Sequence, residues 1–544
     1  MFKKLYQSTS QSVQGAAIVL AISAILAQLF GLVRDKLLAH LVGPGAMLDV
    51  YYSAFRIPDI LFNTVATFFS AAILLPFLAN YLNKGDEVGG RRFLRDSTIS
   101  FSILIIIVCT VTYFLFPYLS RGLVIGFSEP MRILYIQIGR ILLLSPIILG
   151  LSNLIGTITQ YYKHFIIWSL APLFYNIGII CGILFYPRFG LNAIVSGVVF
   201  GALLHLSIQL PIIYKHKYLK LVGLGQYRFK EMFSIFKTAL PRTISLSLNN
   251  LVMLILIATA TIMSVGSVSL FTFAYTISLV PLTLIGLTFS VAVFPDLSKI
   301  FNQSTTNQVN SEFVEKFKST ARKIFALTTI IAFVFIIFRG PLIDLLLGSG
   351  AFTSYHTLRT SWLLFIACFG MVPAGMVQLY LRAFYATGDT RRPFIATFIT
   401  AISTIIITLF GLFIFNTTNF PVMISNLTGL LVADTYVLVL TFAVAISSII
   451  NVFLLRAITR KYLGISGTIS KSLIFKTLFV AIASNIIAFG FYKLVISYAD
   501  GTAMRYGLFI VTLIIDAVII YALAKKMQLN EVYDYMKAYI AKII

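Results

Sequence analysis

Charged side chains occupy only 11% of the 544 positions, and 18 of those residues are acidic. A soluble domain devotes about a quarter of its residues to charge, so a large water-facing surface is excluded. Cysteine occurs three times, as Cys109, Cys181 and Cys368, each alone in an apolar run. That spacing excludes a disulfide framework and a thiolate metal centre, and leaves three small packing residues. The five histidines are scattered, and no GxSxG, P-loop or HExxH pattern occurs. Neither a hydrolase nor a nucleotide-driven pump fits, and no cofactor or metal is expected. No connection is long enough for a soluble domain. Any energy used must come from the membrane potential, a monovalent cation gradient or a partner.

Apolar mass is what the chain does have. Hydrophobic residues make up 59% and phenylalanine alone fills 48 positions, with a mean hydropathy of +0.95. Runs of about 18–25 apolar residues recur, each long enough to cross roughly 30 Å of hydrocarbon as a helix. The expected fold is all-α: a polytopic membrane protein of about 14 transmembrane helices. The spans fall near 14–38, 50–82, 97–118, 132–160, 166–186, 191–214, 233–264, 268–298, 321–347, 357–386, 393–415, 435–456, 474–497 and 503–524. The long second, fourth and tenth runs have room for kinks. The first run continues past "SAILA" into Phe30–Val33, which reads as an uncleaved span and not a signal peptide.

A net charge of +24 invites a nucleic-acid reading. Most of the 42 basic residues, however, fall in alternate connections such as "NKGDEVGGRRFLRD", "KHKYLKLVGLGQYRFKEMFSIFK" and "RAITRKYLGISGTISK". The positive-inside rule makes that side cytoplasmic and both termini with it, and the partners expected are membrane lipids, not nucleic acid. Internal echoes divide the chain. "AFRIP…FFSAAILLPFLANYL" is answered by "AYTISLVP…TFSVAVFPDLSKIF", and "GTITQYYKHFIIWSLAP" by "YLRAFYATGDTRRPFIA", in the same order. The expected domains are a helix bundle over residues 1–220, a second over 221–460, and a C-terminal helix pair with its tail over 461–544.

Within so greasy a chain, ionisable residues inside or beside spans stand out: Arg34, Asp35, Lys36, Asp49, Arg56, Asp59, Arg140, Arg242 and Arg382. A charge at the bilayer centre costs about 2.5–3.5 kcal/mol on insertion scales, so such groups face a cavity or a partner unless they snorkel from a span end. Arg242 and Arg382 lie near an inner end and fit snorkelling; Lys36 and Asp49 flank the loop "AHLVGPGAML". Arg34, Asp35, Arg56 and Asp59 sit on two antiparallel spans joined by that short loop, at similar depth. Arginine forks suit phosphate oxygens, and aspartate keeps an empty site neutral. Pro58 between them removes a backbone donor and makes room for a bend.

These residues carry a resemblance. "GLVRD" at Gly31–Asp35, "LDVYYSAFRIP" at Leu48–Pro58, "APLFYN" at Ala171–Asn176, "GSVS" at Gly266–Ser269, "GAFT" at Gly350–Thr353 and "RAFYATGDTRRP" at Arg382–Pro393 are similar, in order, to signatures of the MurJ family of lipid II flippases. The resemblance implies a V-shaped pair of six-helix bundles plus two C-terminal helices, working by alternating access in a bacterial inner (cytoplasmic) membrane. The cargo it implies is a polyprenyl-pyrophosphate-linked peptidoglycan precursor, with cell-wall synthesis proteins as partners. Carried over by position, Arg34 would contact the pyrophosphate with Asp35 beside it, and Asp49 would be the acid at the outer end of span two. The expected substrate-binding set is Arg34, Asp35, Asp49, Arg56 and Asp59.

The chain also departs from that pattern. Gln28, Phe62, Asn63 and Thr276 stand where many family members carry arginine, and Tyr275 stands where they carry aspartate. Two alternatives follow: a flippase for another lipid-linked oligosaccharide, such as a surface-polysaccharide or teichoic-acid unit, or a non-transporting membrane scaffold of the same fold. A cation-coupled drug antiporter would need an acidic cavity, and the second half offers few central acids.

Overall fold

The structure, a computed structural model, describes residues 13–68, 71–162, 164–215, 227–303 and 309–543. All described secondary structure is helical, as a bilayer demands when it offers the backbone no hydrogen-bond partner. Eleven helical spans among the described residues are long and apolar enough to cross a membrane, and they coincide with eleven of the fourteen expected. The other three expected spans are helical as Val13–Leu41, as Ala46–Phe68 with Ala71–Asn83, and as Phe229–Ala260; they are not among those eleven.

Proline explains where long runs break. The fourth run is two helices, Glu129–Leu142 and Leu144–Tyr161, because Pro146 has no N–H to return to Leu142. The eighth run passes through a π-helical turn, Leu282–Leu287, directly after Pro281. The Thr288 side-chain hydroxyl donates to the Thr283 carbonyl, five residues back, at 3.0 Å. The basic stretch "GGRRFLRD", expected to be a connection, is instead the first turns of a 37-residue helix, Glu87–Leu123. Asp86 caps it by accepting from the Gly89 N–H at 2.7 Å.

The chain forms two compact units. The first comprises residues 1–269 with 349–352. Its tightest helix pair is Phe165–Leu184 against Leu191–Ser207, built on facing GxxxG patterns. A Cβ on Gly178 would fall 2.2 Å from the Cα of Gly201, and one on Gly182 would fall 2.7 Å from the Cα of Gly197. Only glycine lets the two backbones approach so closely, which is how helices gain packing energy where no water is expelled. The second unit comprises residues 270–348 and 353–544. Phe317, Leu379, Tyr380 and Phe384 form part of one of its cores, and the C-terminal helices pack on another through Val480, Ala481 and Ile520.

Candidate substrate-binding site

All five expected site residues lie in the first unit, on the helices Val13–Leu41 and Ala46–Phe68. The turn between them is closed by the Val42 and Gly43 N–H groups donating to the Leu38 carbonyl at 3.0 and 3.1 Å. Gly43 takes φ +74° there, a conformation that side chains with a Cβ resist. The short turn brings the second helix back alongside the first.

Four of the five residues form one cluster. Arg34 Nε donates to Asp35 Oδ1 at 3.0 Å and Nη2 lies 2.9 Å from the same oxygen. Its Nη1 donates to Asn176 Oδ1 at 3.2 Å. The Asn176 amide is held in turn by the Pro172 carbonyl at 3.1 Å. Asp59 lies within electrostatic reach of both Arg56 and Arg34. Arg56 Nε is buried with no hydrogen-bond partner among the described residues, an expensive condition for a charged donor. The Arg34 side chain keeps 26% of its surface exposed, against 6% for Asp35. The arrangement is a nearly neutral set of two arginines and two aspartates whose donors are incompletely used, which suits an anion bearing several oxygens.

Sequence reasoning missed the residues that frame this cluster. Tyr51, Tyr52 and Tyr175 all interact electrostatically with Arg34, and Tyr175 hydrogen-bonds the Ser145 side chain. Asn176 ends the motif "APLFYN", so that signature supplies an oriented amide to Arg34. The signal was present in the quoted motif, and only the partner was missing.

Asp49 is elsewhere. Its Oδ2 accepts from the Gly266 N–H at 2.7 Å and its Oδ1 from the Ser269 N–H at 2.8 Å, with the residue 3% exposed. It therefore satisfies the first amides of the Ser267–Pro281 helix, and "GSVS" is the segment it caps. "GAFT" also gains a role, because the Ala351 N–H donates to the His40 carbonyl at 2.9 Å and Gly43 packs on Ala351.

The remaining ionisable residues separate from the cluster. Arg140 donates to the Tyr113 carbonyl at 3.1 Å and lies 4.5 Å from that ring's centroid. In the second unit Arg382 lies over the Phe294 ring. The side chain of Arg242 lies outside the described residues. Two further buried charge groups were not anticipated. Asp96, fully buried, meets Arg95 at 2.8 Å and Arg228 at 3.3 Å. In the second unit Arg359 meets Asp434 at 3.0 Å, and Tyr355 donates to the same carboxylate at 2.6 Å.

Comparison with known proteins bears on the fold and the family. A family model described as lipid II flippase MurJ matches residues 38–518. A "Probable lipid II flippase MurJ" of Buchnera aphidicola subsp. Schizaphis graminum is 27% identical over 406 residues, 73% of this chain and 77% of the relative. A "Lipid II flippase MurJ" of Burkholderia cenocepacia is 22% identical over 380 residues, 68% and 72% of the two chains. Among solved structures, a lipid II flippase MurJ in an inward closed conformation superposes with a TM-score of 0.72 at 20% identity, covering 93% of this chain and 98% of that one. An inward-facing multidrug-resistance MATE transporter superposes at 0.63 with 17% identity, covering 83% and 100%. These likenesses are to transporters, and at such identities the structural ones speak for the fold. With the family model matched over residues 38–518, the chain belongs to the MurJ family of lipid II flippases.

Proposed function

We propose that this chain carries lipid II, a polyprenyl-pyrophosphate-linked disaccharide-pentapeptide, from the inner to the outer leaflet of a bacterial cytoplasmic membrane by alternating access. The observation that carries the reading is the under-used pair of arginines, with Arg56 Nε buried without a partner among the described residues and Arg34 tied to Asp35 and Asn176 but still partly exposed. A pyrophosphate offers oxygens to both forks at once, and an arginine fork is a better match to them than a point charge. Asp35 and Asp59 keep the empty site close to neutral and would yield the arginines to the cargo. Gln28 and Asn63, where many relatives have arginine, retain hydrogen-bonding groups without the charge.

Cargo charge then needs balancing. An anion entering a site that is already neutral adds uncompensated negative charge, so the step would respond to the membrane potential, at about 2.3 kcal/mol per charge per 100 mV, or draw in a monovalent cation. The concentration of Lys and Arg on alternate connections supports cytoplasmic termini. Proteins of cell-wall synthesis are the partners such a step would serve. The names of the relatives favour lipid II over another lipid-linked oligosaccharide or a non-transporting scaffold.

The test is rescue of a bacterial strain depleted of its own lipid II flippase. The wild-type chain is expected to restore growth and outer-leaflet lipid II, and Arg34→Ala is expected to do neither at equal membrane abundance. A well-expressed wild type that restores neither would remove lipid II as the cargo.

A further inference from the structure

The C-terminal helix pair, Lys471–Ile496 and Thr502–Lys526, contains a buried acid that no reading of the Arg34 site uses. Asp516 is 2% exposed, and Ser484 and Asn485 on the facing helix are fully buried. Ser484 lies twelve residues before the end of its helix and Asp516 fourteen after the start of the next. At about 1.5 Å per residue, both are roughly 20 Å from the connection that joins the helices, well inside the hydrophobic span.

The three polar side chains are linked. The Ser484 hydroxyl acts on the Asp516 carboxyl and also reaches the Ala481 carbonyl at 3.4 Å. Asn485 Nδ2 donates to the Ala481 carbonyl at 2.8 Å and lies 3.5 Å from Ser484 Oγ. What remains is a surplus of acceptors. Asp516 Oδ1 and Asn485 Oδ1 are both buried without a hydrogen-bond partner among the described residues. Buried apolar residues flank them in sequence, Val480, Ala481 and Ala488 on one helix and Ile520 on the other, and the buried Thr512 hydroxyl, one turn from Asp516, donates to the Leu508 carbonyl. Lys471–Ile496 and Asn530–Ile543 pack on Thr502–Lys526, and near its start Phe509 meets Phe338 and the Tyr506 hydroxyl donates to the Asp344 and Gly348 carbonyls. Among the described residues, no charged group acts on the carboxyl; Ser484, which is neutral, does. An ionised carboxylate held this way, with no cation beside it, would bear a desolvation cost that buried groups avoid by taking up a proton. One proton turns a surplus acceptor into a donor.

We propose that Asp516 is a proton-binding site inside the C-terminal helix pair. Its carboxyl carries a proton while the two helices are packed, and releases it when they part and water reaches the cluster. By linkage, raising the pH favours the parted arrangement. This inference is independent of what the Arg34 cluster binds.

Infrared difference spectroscopy on the full-length protein in lipid nanodiscs tests it. At neutral pH, wild type minus Asp516→Asn is expected to contain a protonated-carboxyl C=O band. Ser484→Ala, which keeps the aspartate, is expected to shift that band upward in frequency by removing its hydrogen bond. The serine variant keeps the test decisive even if Asp516→Asn fails to fold. An ionised-carboxylate difference at neutral pH overturns the proposal. So does a protonated band that appears only after sodium and potassium are replaced by choline, since the occupant would then be a metal cation. Amide hydrogen exchange over residues 471–526, corrected for intrinsic rates, is expected to accelerate from pH 7 to pH 9 in wild type and not in Asp516→Asn. An equal response in both overturns the release step.

Discussion

The first unit contains the same dipeptide twice, Arg34-Asp35 and Arg95-Asp96, with nearly the same local geometry. In one, Arg34 Nε and Nη2 meet Asp35 Oδ1 at 3.0 and 2.9 Å. In the other, Arg95 Nε and Nη2 meet Asp96 Oδ1 at 2.9 and 2.8 Å. What separates them is the rest of the neighbourhood. Asp96 Oδ2 accepts from both the backbone N–H and Nε of Arg228. Arg228 also reaches the Tyr81 hydroxyl and the Gly89 carbonyl, and Tyr81 donates to Glu231. That network pins the start of the Phe229–Ala260 helix to the start of Glu87–Leu123, and its central carboxylate is sealed from solvent. Around Arg34 the network is smaller: one donor of Arg56 has no partner among the described residues, and Tyr51 and Tyr52 interact electrostatically with Arg34. A saturated charge network fixes structure, whereas an unsaturated one is available to a ligand.

The largest effect should come from the saturated member. Asp96→Ala leaves Arg95 and Arg228 facing each other without their shared anion. Breaking a buried pair costs about 3–5 kcal/mol; both arginines are partly exposed and can rehydrate, so the lower end applies. Thermal unfolding should register the loss as a clear fall in Tm, with transport per folded molecule unchanged. Arg34→Ala should do the reverse. Losing charge-assisted hydrogen bonds to cargo of about 1.5–3 kcal/mol means a roughly tenfold to hundredfold drop in flipping, with Tm close to wild type. Arg34→Lys should fall nearly as far, because an ammonium cannot replace the fork. If Arg34→Ala lowers Tm as much as Asp96→Ala does, the contrast between the two dipeptides fails.

Much of this was legible in the sequence, and the failures have physical causes. Apolar run length located the spans, because the bilayer fixes how long a helix must be. "GLVRD" stands out because charge is conspicuous among aliphatic residues. "RFLRD" is inconspicuous for the opposite reason: it lies in a charge-rich stretch that reads as a connection, yet helix Glu87–Leu123 runs through it and buries Asp96. Tyr51, Tyr175 and Asn176 escaped notice because aromatic and amide residues are ordinary in packed helices, and their role depends on which helices meet. For Asp49 the resemblance implies a cargo contact at the outer end of its span, and nothing in its sequence surroundings announces its backbone partners. Its amide partners are 217 and 220 residues away, a pairing that no local pattern encodes. Asp516, Arg359 and Asp434 show the same limit, since burial is decided by neighbours distant in sequence.

Asp49 tests whether a fully used carboxylate behaves like Asp96 even when it sits on the same helix as the cluster. Both of its oxygens cap backbone amides, so Asp49→Ala should cost about 1–2 kcal/mol, the range for a lost helix cap. Asp49→Asn, which keeps one acceptor, should cost less. Transport should fall only as far as the folded fraction falls. A tenfold transport defect in Asp49→Asn at unchanged Tm would instead make the acid a cargo contact.

The smallest effect is expected at Arg140, the comparison's control. It is an arginine within an apolar span, as Arg34 is, yet it makes no ion pair among the described residues. Its guanidinium rests on the Tyr113 ring and carbonyl, in the manner of a long side chain that carries its charge toward water. Arg140→Ala should therefore change stability by less than about 0.5 kcal/mol and leave flipping within twofold of wild type, measured in the same rescue and unfolding assays. A defect as large as that of Arg34→Ala would mean that any arginine in a span matters for its charge alone, and that the unsatisfied geometry around Arg34 and Arg56 is not what selects the cargo.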